Sequence, residues 1–254
     1  MKKYIIHPVA LMLSKLSLFA IISTLFSCKS VSDDIVTLET PFTIEAIEKG
    51  DVVISKGSRE TVSLEYSINQ GDIQKTNIKD TVIIKLNKGD KIELYGNNDK
   101  APDIQVTPKC YIYGNVMSLL SSTSFGDLST IESPHAFMGM FMGNTNIMLH
   151  DSKELLLPAK RLSRKCYMYM FDGCTSLTSA PELPAMRMEK ACYRAMFADC
   201  ANLSKAPELP AMQLAKKCYA EMFYNCPSLE EPPFLPATQL ERDSYKDMFG
   251  NDSH

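Results

Sequence analysis

The chain of 254 residues contains no tryptophan. Tryptophan offers the largest flat face for stacking on a sugar, so its absence argues against a glycan platform. Histidine is scarce, with four residues, of which only His135, His150 and His254 lie beyond the first 27 positions. The eight cysteines include no Cys-x-x-Cys pair and no His-rich spacing. Neither a metal-ligand set nor a convergent acid, base and nucleophile is therefore expected, and the chain reads as non-catalytic with no cofactor. Long apolar runs are missing too. The longest apolar or small-residue stretch, Leu16–Phe26, has 11 residues, against about 20 for a membrane-crossing helix. Basic residues are outnumbered, 27 Lys and Arg to 30 Asp and Glu. No basic stripe runs along the sequence, so nucleic acid is not an expected partner. At 45% hydrophobic and 22% charged the chain is not disordered, and its length has room for two modest domains.

What is present begins with a secretory signal. Lys2 and Lys3 precede the apolar stretch, and Lys15 bounds it. The stretch ends in Leu25-Phe26-Ser27-Cys28, which resembles a bacterial lipobox. The resemblance implies a covalent lipid on Cys28, which would become the first mature residue. Two or three lipid chains anchor a protein stably without its spanning the bilayer. The run Lys29-Ser-Val-Ser32-Asp33-Asp34 is similar to the surface-export tether of Bacteroidetes lipoproteins. Residues 1–27 are thus read as a signal peptide and 28–36 as a tether, with the protein lipid-anchored at the outer membrane and exposed on the cell surface. Loss of Lys2, Lys3 and Lys15 leaves 24 basic against 30 acidic residues, a net charge of −6.

Residues 37–113 show a period of two. Val62, Leu64, Tyr66 and Ile68 alternate with polar residues, as do Val82, Ile84 and Leu86, and Ile92 and Leu94 follow the turn sequence Asn87-Lys-Gly-Asp90. Further strands are expected at Phe42–Ile47, Val52–Ser55 and Ile104–Tyr113. Short strands at this density predict a small all-β sandwich. The segments Phe42–Gly50, Leu64–Ser67 and Lys91–Asn98 resemble an immunoglobulin-like module found ahead of repeats in Bacteroidetes surface proteins.

From residue 157 a 26-residue period governs the chain. Leu157-Pro158-Ala159 returns at 183, 209 and 235, and each copy is followed by Cys-Tyr-x-x-Met-Phe-x-x-Cys, starting at Cys166, Cys192 and Cys218. The fourth copy reads Ser244-Tyr245-x-x-Met248-Phe249-x-x-Asp252. A weaker copy, Ala136–Asn144, predicts an N-terminal cap at about residues 133–156. Ser163–Phe171 is expected to form about two helical turns, with Cys166, Met170 and Cys174 facing inward. Gly143, Gly173, Asp199, Asn225 and Asn251 supply residues that tolerate the left-handed conformation. The prolines at 181, 184 and their equivalents predict an extended edge. The six repeat cysteines read as buried thiol ladders or, since both members are lost together in the first and last copies, as disulfides. His150-Asp151-Ser152 reads as a surface loop, because adjacent residues rarely converge on one reacting atom.

A helix plus an extended edge every 20–29 residues is the leucine-rich-repeat plan. The motif Cys-Tyr-x-x-Met-Phe-x-x-Cys-x-Ser-Leu-x-x-Ala-Pro-Glu-Leu-Pro-Ala resembles the BspA-type leucine-rich repeats of Bacteroidetes cell-surface proteins. The expected fold is therefore mixed: the immunoglobulin-like sandwich followed by an α/β leucine-rich-repeat solenoid over residues 114–254. The resemblance implies binding of surface macromolecules and no catalytic residues. Positions that vary between copies are free to specialise, and these are Ser179, Lys205 and Glu231 in one column and Glu182, Glu208 and Phe234 in another. The expected function is a non-catalytic surface lipoprotein that binds a macromolecule, chiefly protein, through this face. The alternative is a glycan-binding accessory of a polysaccharide-uptake system.

Overall fold

The structure, a computed structural model, describes residues 35–230 and 232–250. The signal peptide, Cys28, most of the tether, Glu231, Asn251 and Asp252 lie outside the described residues.

Ten strands follow one another: β1 (Phe42–Ala46), β2 (Gly50–Ser55), β3 (Val62–Ile68), β4 (Gln74–Ile78), β5 (Thr81–Leu86), β6 (Lys91–Tyr95), β7 (Asp103–Val106), β8 (Cys110–Asn115), β9 (Ile147–Leu149) and β10 (Leu155–Leu156). Alternation places their side chains: Val62 and Leu64 are buried, whereas Ser63 and Glu65 are partly exposed. The turn between β5 and β6 closes when Asp90 accepts the Asn87 N–H at 2.7 Å, with Gly89 at φ +86°. Residues 104–113 are two strands rather than one, because Thr107–Lys109 carries the chain from one sheet to the other. The larger sheet has seven strands, ordered β10-β8-β1-β6-β3-β4, with β9 also paired to β8. The smaller runs β5-β2-β7. Two polar side chains, Ser118 buried and Asn98 partly so, tie the loops to the larger sheet. Ser118 accepts the Phe42 N–H and donates to the Leu94 carbonyl, and Asn98 pairs both backbone groups of Ser63.

The chain segment preceding the repeats is built into this sheet. β9 and β10 both lie parallel to β8, along successive stretches of it. The core is continuous from Phe42 and Ile44 through Phe141 to Met248.

The expectation of an α/β leucine-rich-repeat solenoid behind an immunoglobulin-like sandwich is overturned. The chain is nearly all β, 27% strand and 3% helix. The helical segments described are two short 3-10 turns, Val116–Leu119 and Phe125–Asp127. The Cys-to-Cys block is a string of tight turns. A residue with positive φ occurs every fourth position: Lys165 (+56°), Tyr169 (+60°) and Gly173 (+71°), then Ala191, Ala195 and Asp199, then Lys217, Glu221 and Asn225. Even-numbered amides close turns within the block, as from Met170 N to Tyr167 O at 3.2 Å and Cys174 N to Phe171 O at 3.0 Å. Odd-numbered amides reach the next copy: Tyr167 N to Cys192 O, Tyr169 N to Arg194 O and Phe171 N to Met196 O, at 2.9–3.1 Å. The physical reason lies in the balance of hydrogen bonds. A nine-residue helix is marginal by itself and spends its amides internally, whereas the turn string sends every second amide to its neighbour and so couples each copy to the next. Five copies, from the cap onward, stack in this way.

The buried side chains fall in columns. Phe137, Tyr167, Tyr193, Tyr219 and Tyr245 stack at 5.4–5.9 Å, and Phe141, Phe171, Phe197, Phe223 and Phe249 at 5.4–5.8 Å, with ring planes within 15° of parallel. All seven described cysteines are buried, as thiols and not as disulfides. The thiols of Cys174, Cys200 and Cys226 donate to the carbonyls of Phe141, Phe171 and Phe197 in the preceding copy, at 3.0–3.2 Å. Burial pushes Cys218 up to about 11 and Cys110 and Cys166 up to about 12. Protonated and enclosed, these thiols are packing groups and not nucleophiles.

The hydroxyls of Tyr167 and Tyr193 are buried without a hydrogen-bond partner. The cap fills the same column with Phe137. Tyr193→Phe is therefore expected to raise stability by about 1 kcal/mol, since it removes an unmet polar group and keeps the ring. Chemical denaturation checks this; a loss of stability would mean that the hydroxyl is satisfied.

Candidate functional site

Each copy has three sides: the turn block, an extended edge after the second cysteine, and a second edge from Pro-Ala to the next turn block. The extended edge is held in register by a parallel bridge between Ser179 and Lys205, and by Ala180 N to Lys205 O at 3.2 Å. Pro181, Leu183, Pro207 and Leu209 turn inward and are buried, which leaves Glu182 and Glu208 exposed. Four of the six residues expected to form a binding face thus lie on one edge. Phe234 projects from the same edge farther along, 73% exposed, and Glu231 is outside the described residues.

Two concavities border this edge. The larger, about 780 Å³, is an open trough lined by Lys109, Met148, Ser176, Thr178, Asn202, Ser204, Pro227, Ser228, Leu229 and Glu230. Its polar lining arises from the stacking. Ser176 Oγ donates to the Thr145 carbonyl, the Asn202 carboxamide to Thr175, and Ser204 Oγ to Thr178. Each small polar side chain reaches back to the preceding copy and leaves its other polar valences toward the trough. The smaller groove, about 300 Å³, shares Thr178 and adds His150, Lys153, Glu154, Ser179 and Glu182. Sequence reasoning missed the trough. Its signal was the column Ser176, Asn202 and Ser228, two residues past each second cysteine, which looks like part of the fixed pattern.

The smaller groove has a rigid wall. Lys153, its side chain 7% exposed, donates from Nζ to Glu45 Oε2 at 3.2 Å and sits 4.9 Å from the centre of the Tyr113 ring. The Tyr113 hydroxyl donates to the same oxygen at 3.0 Å. Burial alone would raise the Glu45 carboxyl, but the hydrogen bonds from Lys153 and Tyr113 outweigh it and hold the group below its ordinary value. His150 packs edge-on to Tyr111 at 4.7 Å. Its Nδ1 accepts the Ser152 backbone N–H at 3.1 Å and lies 3.3 Å from the Ser152 hydroxyl.

A third concavity, about 350 Å³, lies on the turn block and is lined by Tyr169, Asp172, Asp199, Glu221, Tyr224 and Asp247 among others. Burial, reinforced by the Asp199 charge, raises Asp172 to about 6. Arg194 holds Glu221 with two-pronged hydrogen bonds at 2.8–3.1 Å. Among the described residues, no three His, Cys, Asp or Glu side chains come together as a metal-ligand group. The geometry offers an extended polar edge spanning three copies, suited to contact along a line. Comparison with family models, curated proteins and solved structures returns no match to this chain.

Proposed function

We propose that the protein binds a macromolecular partner, a protein segment, along the extended edge and its trough, and that it does so at the cell surface, held by a lipid on Cys28. One observation carries this reading. The residues that repeat without change (the rings, the thiols and the inward Leu and Pro) are consumed in packing, so exposed chemistry falls to the positions that vary. Of those positions Ser179 and Glu182 line the smaller groove, which shares Thr178 with the open trough of about 780 Å³ and its polar lining of Ser176, Asn202 and Ser204. The trough's shallowness suits an extended chain, and its hydroxyl and carboxamide groups suit peptide amides. The resemblance of the repeat motif to BspA-type surface proteins supports the same reading.

The experiment is binding of the soluble 29–254 form to immobilised matrix proteins and to glycans. Saturable protein binding is expected, reduced at least tenfold by Thr178→Arg with Ser204→Arg, which fill the trough with bulk and charge. Glycan binding without protein binding would favour the uptake-accessory reading. Protein binding indifferent to the double variant would sink the assignment of the edge.

A further inference from the structure

The second edge carries a feature that the linear sequence hides. Thr130, Arg161 and Arg187 form successive parallel bridges, so Arg161 and Arg187 are directly paired residues on adjacent copies. Like charges placed opposite one another in a ladder repel. Beside them stand Lys160 and the column Arg164, Lys190 and Lys216, at the corner leading into the turn block. Copies follow one another at the ring spacing of 5.4–5.6 Å between Phe137, Tyr167 and Tyr193, which brings these cations well within a screening length. Lys100, Arg164 and Lys165 also converge on His135. Burial and the charge of those three lower its proton affinity.

Ion pairs form elsewhere and pass this edge by. Lys217 and Arg242 are matched by Asp243, and Arg194 by Glu221. Among the described residues, Lys160, Arg161, Arg164, Arg187 and Lys190 have no carboxylate within 4.0 Å. The acidic side chains on the same side are Glu132 and Glu189, with Glu241 and Asp243 at the far end. The strip therefore runs over the first three repeat copies, from Lys160, Arg161 and Arg164 through Arg187 and Lys190 to Lys216, in a chain whose total charge is negative.

We infer that this second edge is a docking strip for a linear polyanion, a sulfated or uronate-rich polysaccharide, whose successive acid groups lie against Arg161, Arg164, Arg187 and Lys190. The shape of the strip selects this class over nucleic acid. It is one or two residues wide per copy, too narrow for a duplex backbone on both sides of a groove. Single strands are held by aromatic stacking as well as by charge, and beside the strip's cations the repeat rings, from Phe137 to Tyr219 and from Phe141 to Phe223, are buried. The exposed neighbours on the strip are Met186 and Met212 instead. This inference concerns a different edge from the trough and stands or falls separately from it.

Chromatography of the 29–254 form on immobilised heparin tests the strip. Retention is expected, with elution by salt. Arg187→Glu converts a facing pair of like charges into an opposite pair, so the fold is relieved while the strip loses charge. It should elute at lower salt with an unchanged or higher melting temperature. Arg161→Glu with Arg164→Glu should abolish retention. Lys75→Glu, which alters a cation paired with Glu65 on β4, should elute as the parent does. Passage of the parent protein without retention overturns the inference. So does equal retention of the strip variants, or displacement from heparin by duplex DNA as readily as by soluble heparin.

Discussion

Phe197→Ala is expected to cost the protein about 3–5 kcal/mol, the range for emptying a packed aromatic site. The ring sits 5.5 Å from Phe171 and 5.8 Å from Phe223, in the middle of a column of five, and is fully buried. Its removal leaves a cavity that neighbours cannot fill, because each is fixed by rings on both sides and by backbone bonds to adjacent copies. The loss should propagate. In a stacked array each copy is stabilised mainly by its neighbours, so Met222, Phe223 and the last copy lose their foundation while the β sheets keep theirs. Urea denaturation followed by fluorescence of the eleven tyrosines should show a lower midpoint and a separate early phase from the last copies. Amide exchange should locate that phase at Tyr219, Glu221 and Phe223, whose N–H groups bond to the last copy. A loss below about 1 kcal/mol would show that the column collapses around the gap, contrary to this account.

Gly114→Ala is expected to be nearly as damaging, by about 3 kcal/mol or more, from a steric clash added to a strained backbone. Gly114 has φ +84°, and a β-carbon there would collide with the carbonyl oxygen of Pro41. The position is a junction. Gly114 donates to the Glu154 carbonyl at 2.8 Å, and the next residue, Asn115, donates to Thr40 at 2.8 Å. The Asn115 carboxamide, fully buried, donates to Leu38 and Phe125 and accepts from Met117. Pushing β8 away from Pro41 therefore disturbs the attachment of β10 and the turn that follows. Thermal unfolding of the variant measures the cost. A change within a few tenths of a kcal/mol of the parent would show that the β1 side yields without penalty.

The strands of residues 42–106 were readable because a half-buried strand writes its burial directly into the sequence. Val62, Leu64 and their alternating neighbours needed no tertiary information. The sheet change at Thr107–Lys109 did not show, since apolar residues on both sides of it look like one continuous strand. In the repeats the identity of the inward residues was legible as well. Cys166, Met170 and Cys174 are buried as a helix would have buried them, because a four-residue turn period and a 3.6-residue helix period nearly coincide over nine residues. That coincidence is why the backbone was misread.

The sequence by itself determined the period, the columns and the residues with special backbone freedom at the end of each block, Gly173, Asp199 and Asn225, all of which have positive φ. Only the tertiary structure decided that Lys165, Tyr169, Ala195 and Glu221 share that conformation. Their side chains carry no preference for it, and the cost is offset by amide bonds to the next copy that exist only once copies stack. The same holds for the two edges. Arg161 and Arg187 are 26 residues apart in the chain and become direct neighbours only through the ladder. A basic strip invisible along the sequence forms because stacking turns a repeat period into a spatial column.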